Sequence, residues 1–180
     1  SEDITQLFVD DQPMVSARWP NAQFYDDSIF SHSTWAEGDE DNSSNGSLTI
    51  DESVHNPGSL DLNGSIGVLN IGSFKTWTVE MTGHTQSASN DVITYNTSDI
   101  GTYKDKHHYY FFEGKLNYLD TNNEWFHDKT NNILYLYPDD GLDPSSRSIK
   151  AKTTDYRVTL NGANYLTIKN INFSQKTHKN

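Results

Sequence analysis

Residues 123–138 read NEWFHDKTNNILYLYP, and the fold class turns on whether this run is helical or folds back on itself as two strands. Glu124, Phe126 and Asp128 alternate with Trp125 and His127, and after DKTNN, Ile133, Tyr135 and Tyr137 alternate with Leu134 and Leu136. A period of two on both sides of a turn-forming run, closed by a proline that cannot donate to a ladder, predicts a β-hairpin. The same reading extends outward. ITQLFVDDQPMVSARWP at 4–20 predicts two strands around a DDQP turn, with Leu7, Val9, Met14 and Ala17 on the flanks. SIGVLNIGSFKTWTVEM at 65–81 predicts two more, with Val68, Asn70 and Gly72 on one side and Leu69 and Ile71 on the other. VITY and HHYYFFEGKLNYL at 107–119 continue the pattern, EGDEDNSSNGS at 37–47 reads as a polar loop, and no long window keeps helical spacing.

Composition narrows the partners. The 180 residues carry a formal charge of -12, with 25 Asp and Glu against 13 Lys and Arg, and such a surface repels phosphate backbones and anionic lipid. Nucleic acid and acidic membranes are therefore excluded as expected partners, whereas a neutral glycan does not feel the repulsion. With no cysteine, disulfides, thiolate metal sites and a cysteine nucleophile are ruled out. No membrane-spanning run and no signal sequence at Ser1 are found, so a soluble mature chain or an excised piece is expected. The richness in Asn, Ser, Thr, Gly and rings points to a secreted, extracellular or periplasmic setting.

PDDGLDPSSRS at 138–148 marks a boundary by composition, and beyond it the pattern changes. Val158 with Leu160, Leu166 with Ile168, and Ile171 with Phe173 form pairs spaced by two, interrupted by NGAN and Asn170. Short strands with Asn or Gly corners suit one coil of a parallel β-helix, which needs stacked neighbours to bury its faces. The expected organisation is N-terminal strands at 1–24, a β-sandwich or barrel-like module at 25–148, and a first β-helix coil at 149–180.

QLFVDDQPMVSARWPN (6–21), GVLNIGSFKTW (67–77), HHYYFFEGKLNYLD (107–120), NEWFHDKTNNILYLYPDDG (123–141) and DYRVTLNGANYLTIKNINF (155–173) occur in that order. Together they resemble the N-terminal portion of secreted bacterial right-handed parallel β-helix proteins, the carbohydrate-active glycoside hydrolases and polysaccharide lyases. The resemblance implies an all-β fold: a small sandwich or barrel-like module beside the mouth of a solenoid. It also implies that catalytic groups sit on later coils, so no catalytic residue is carried onto this chain. The function it implies is binding of a polysaccharide or oligosaccharide, accessory to a downstream glycan-degrading enzyme. The rival readings are a catalytic fragment of a glycoside hydrolase or lyase, and a structural cap that self-associates through the exposed β-helix edge.

Rings on a rigid sheet can stack on pyranose C–H faces while Asn, Asp and Arg take hydroxyls. Trp19, Trp35, Trp77, Tyr109, Tyr110 and Trp125 are the candidates for stacking, with Arg18, Lys75, His107 and Asp128 for hydrogen bonds; core or rim packing is the competing reading for each ring. Arg18 beside Trp19 suggests a cation–π stack or a fork onto a carboxylate. DNSSNGSLTIDE at 41–52 reproduces calcium-loop spacing, with Asp41, Ser43, Asn45, Ser47 and Glu52 as ligands and Gly46 at the sixth position. Ca2+ is thus the one candidate cofactor, against the reading of a solvated hairpin loop. His84, His107 and His108 could serve a transition metal, but neighbours on a strand point to opposite faces. Glu113, Glu124 and Asp128 lie on predicted strands that could face a cleft, without any spacing that specifies catalysis.

Overall fold

The computed structural model describes residues 3–87, 89–141, 143–153, 160–162, 164–167, 169 and 170. Twelve strands run through them: β1 (Gln6–Val9), β2 (Gln12–Ser16), β3 (Arg18–Trp19), β4 (Ala36–Glu37), β5 (Ser47–Thr49), β6 (Ile66–Asn70), β7 (Trp77–Thr85), β8 (Val92–Tyr95), β9 (Tyr109–Glu113), β10 (Glu124–Asp128), β11 (Ile133–Tyr137) and β12 (Ile149–Lys152). The only helical segments among the described residues are three-residue 3-10 turns, and no helix is long and apolar enough to cross a membrane. The chain is an all-β module, sandwich- or barrel-like.

Local chemistry explains the hairpins. Asp10 and Asp11 both have positive φ (48° and 65°), and Val9 pairs with Gln12, so these two residues alone make the turn. Left-handed conformation at both central positions matches the twist of the flanking strands, and aspartate tolerates it better than most residues. The turn is therefore tighter than DDQP, and Pro13 falls inside β2 opposite Phe8. In the quoted stretch, β10 and β11 pair from Glu124↔Tyr137 to Asp128↔Ile133. Asp128 closes their turn by accepting from the Asn131 backbone N–H at 3.0 Å and side-chain Nδ2 at 2.7 Å.

Two sheets result. One has the order β11-β10-β2-β1-β12, with β10 and β2 parallel; the other runs β3-β9-β6-β7-β8-β5, with β4 also pairing β9. The chain passes from the first to the second at Ala17, between β2 and β3. The larger core contains Leu48, Ile50, Leu69, Ile71, Met81 and Phe112, and the smaller one gathers Leu7, Val9, Met14 and Trp125. Because β12 pairs with β1 and β10 with β2, the first sheet draws strands from all three segments that composition delimits.

Of the expected coil pairs, Val158, Ile168, Ile171 and Phe173 lie outside the described residues, as does any edge of that coil beyond Asn170. Leu160 and Leu166 are exposed, and the described residues from 160 to 170 contain no strand. The polar loop at 37–47 is more ordered than its composition suggests: Glu37 belongs to β4, Glu40–Asn42 form a 3-10 turn capped by the Asp39 carboxylate, and Ser47 opens β5.

Candidate functional site

The outward row of β9 supplies the candidate site. Strand alternation puts Tyr109, Phe111 and Glu113 on one face, all half-buried, and Tyr110 and Phe112 on the other, both fully buried. Residues 31–35 lie beside this row, where the Ser31 hydroxyl caps the 3-10 turn His32–Thr34. The His32 ring stacks on Tyr109 with centroids 4.6 Å apart, Trp35 meets Phe111 edge-on at 4.8 Å, and His107 lies parallel to Tyr109 at 6.4 Å. His107 is held by a positive φ and by its backbone N–H, which donates to Glu40 Oε1 at 2.7 Å.

Arg18 closes the other end of the row. Its guanidinium lies 3.8 Å from the Phe111 ring centroid, and Nε and Nη2 donate to the carbonyls of Pro20 (2.9 Å) and Thr34 (2.7 Å). Only 2% exposed, Arg18 has its pKa pushed down to about 10 by burial, against the opposing charges of Glu113 and Glu124. Burial in turn raises the Glu113 carboxyl, opposed by the Ser16 hydroxyl and the Arg18 charge. Next to these two residues is a cavity of about 250 Å³ between the sheets, walled by Phe111, Trp125, Phe24 and Ile29 and bordered by β1 and β2.

The remaining expected contacts scatter. Trp19 does not stack on Arg18: the two are neighbours on a strand and face opposite ways, so Trp19 lies on Phe112 (6.0 Å, 20°) with an edge toward His55. Tyr110 has no free face for a sugar, because it is completely buried with its hydroxyl donating to the carbonyls of Glu37 (3.1 Å) and Thr49 (3.3 Å). Trp125, 6% exposed, is part of the smaller core and lines the cavity. Trp77 packs against the main core, Lys75 is exposed in the β6–β7 turn, and Asp128 is engaged in its own turn. Trp35, Tyr109, His107 and Arg18 are thus the expected residues that come together; His32, Phe111 and Glu113 complete the group.

The calcium-loop spacing does not fold into a common cage. Ser43 Oγ donates to the Asp39 carbonyl (2.6 Å), Asn45 Oδ1 accepts from the Tyr95 hydroxyl (2.9 Å), and Ser47 pairs in a ladder with Thr94. Glu52 uses both oxygens elsewhere, on the Asp91 N–H and the Asn56 amide, each at 2.6 Å, while Asp41 sits exposed in a 3-10 turn. Strand pairing of β5 with β8 holds the loop's seventh to ninth positions, Ser47 to Thr49, extended. Among the described residues no group of three His, Cys, Asp or Glu could hold a metal. His84 is also committed: its Nδ1 accepts from the Leu62 N–H at 3.1 Å, so Nε2 carries the proton toward Asp91 Oδ2 at 3.0 Å.

Comparison with known proteins gives one likeness of fold. No protein-family model matches the chain, and no curated protein is similar to it. A solved structure named "Glycoside hydrolase" superposes with a TM-score of 0.55 at 18% sequence identity, covering 82% of this chain and 26% of that one. The chain therefore spans about a quarter of that neighbour, and at this identity the likeness is one of fold.

Proposed function

We propose that this chain is a carbohydrate-binding β-module, accessory to a glycan-degrading protein that works outside the cell, and that the outward row of β9 is its platform. The observation that carries the reading is the partly open group of His32, Trp35, Tyr109 and Phe111 on one strand face, with Arg18 and Glu113 at its end. Tyr109 and Phe111, fixed by the ladder, and His32 and Trp35, packed against them, offer apolar surface to pyranose C–H faces at little entropic cost, and the polar groups at the end can order hydroxyls. The fold shared with part of a glycoside hydrolase supports a carbohydrate setting, with cleavage assigned to residues beyond this module. The net charge of -12 favours a neutral polymer.

The test is a panel of neutral and anionic polysaccharides, with and without chelator, on the unmodified protein and on Trp35→Ala and Tyr109→Ala. Binding of a neutral polymer, weakened at least about tenfold by both substitutions and indifferent to chelator, is expected, since Trp and Tyr that anchor an interface cost about 2 kcal/mol or more when truncated. Full binding by both variants would remove the platform from consideration.

A further inference from the structure

We infer that the cavity beside Arg18 and Glu113 is a subsite for a single neutral pyranose, the terminal residue of a glycan lying along β9. This rests on the proposed carbohydrate-binding reading and says which part of the polymer is recognised.

Size comes first. A cavity of about 250 Å³ falls below the roughly 300–1,000 Å³ of pockets that enclose drug-sized ligands, so it has room for one ring rather than a run of them. Phe111 belongs both to the β9 row and to the cavity wall, which makes the two continuous, while β1 and β2 line the other side. A chain entering along β9 ends there.

The chemistry of the walls selects the ligand. Phe111, Trp125, Phe24 and Ile29 offer apolar surface, and Arg18, Glu113 and Ser16 offer polar groups. Arg18 is held by the Pro20 and Thr34 carbonyls through Nε and Nη2. A guanidinium that can only donate and a carboxylate that accepts suit hydroxyl groups, each of which does both. The carboxylate of a uronic acid would meet Glu113 as well as Arg18, so attraction and repulsion would oppose each other.

The experiment titrates the protein with methyl α-D-glucopyranoside, methyl α-D-galactopyranoside and methyl α-D-mannopyranoside, and with glucuronate and galacturonate, following tryptophan fluorescence and competition with the neutral polymer bound by the platform. Glu113→Gln keeps the side-chain shape and removes the charge; Ile29→Trp fills the cavity. At least one methyl glycoside should bind and displace the polymer, uronates should bind at least tenfold more weakly, and each variant should weaken the glycoside at least tenfold. If Ile29→Trp does not fold, Glu113→Gln alone decides. Unchanged binding of glycoside and polymer by Glu113→Gln, failure of every glycoside to bind while the polymer does, or preference for a uronate would overturn the subsite and leave the platform standing. Absence of binding to any glycan would overturn both.

Discussion

Glu124 shows how much a single side chain can depend on contacts far away in sequence. In the alternating run of β10 it shares a face with Phe126, and a charged residue at a strand's start ordinarily reads as surface. Parallel pairing with Val15 buries it completely, and its oxygens accept from the backbone N–H groups of Arg18 and Asp120, both at 3.3 Å. Burial still pushes its pKa up to about 8, well above the ordinary 4.5. Between those two values the folded protein keeps a proton that the unfolded chain has released, so stability from this group is complete below about 4.5 and lost as pH rises through about 8. The slope is at most roughly 1.4 kcal/mol per pH unit. Asp10, held low by Arg147, and Asp128, held low by Asn131, act in the opposite sense, but their contribution disappears only on acidification below the ordinary carboxylate range. Urea unfolding of Glu124→Gln should accordingly show a flatter pH dependence between about 5 and 8 than the unmodified protein; an identical slope would mean that another group titrates there. The Tyr109–Tyr110 pair carries the same lesson more simply: alternation alone allows only one of two neighbours to face a ligand, and choosing which requires knowing the core side of β9.

At the scale of elements, the hairpins were legible because both their causes are local. A turn residue that tolerates positive φ and a period of two on each side are present in the residues themselves, as in Asp10–Asp11 and in β10–β11. The β1–β12 and β2–β10 pairings were not legible, since nothing in Ile149–Lys152 or Glu124–Trp125 names a partner more than a hundred residues away. The calcium spacing is likewise a count of positions along the chain and does not say where the side chains point; Ser43, Asn45 and Glu52 each find partners within the protein. The same tertiary closeness makes Gly72 a sensitive position just beyond β6. A Cβ there would run into the Trp77 indole and come within 2.7 Å of the Thr102 carbonyl oxygen, a backbone atom that cannot swing away. Gly72→Ala should therefore destabilise by about 1–3 kcal/mol or more through overpacking, measured as a fall in the urea midpoint at constant m. Gly58→Ala, where nothing lies within 4 Å but φ is +62°, should cost about 1 kcal/mol from backbone strain alone. Equal losses for the two would argue against close packing of Trp77 on the strand end.

For the whole molecule the governing quantity is charge. A formal charge of -12 on 180 residues opposes compaction, and the ion pairs that relieve it are mostly exposed, such as Arg147 with Asp10, Asp139 and Asp140, and Lys150 with Asp11. Exposed pairs contribute little each and weaken with salt, whereas the summed repulsion acts over the whole surface and is also screened. With nearly twice as many acids as bases, the repulsion is the larger effect, so melting temperature should rise as ionic strength goes from about 0.01 M to about 0.15 M. Binding of a neutral glycan has no counter-ions to release and should change less than about twofold over the same range. An anionic polymer would instead bind more tightly as salt is added, because screening removes the repulsion between like charges. Calorimetric melting and titration with the polymer at the two ionic strengths separate these cases. A melting temperature that falls with salt would mean that the Arg147 and Lys150 pairs outweigh the net charge, and affinity that climbs steeply with salt would shift the proposed ligand from a neutral to an acidic glycan.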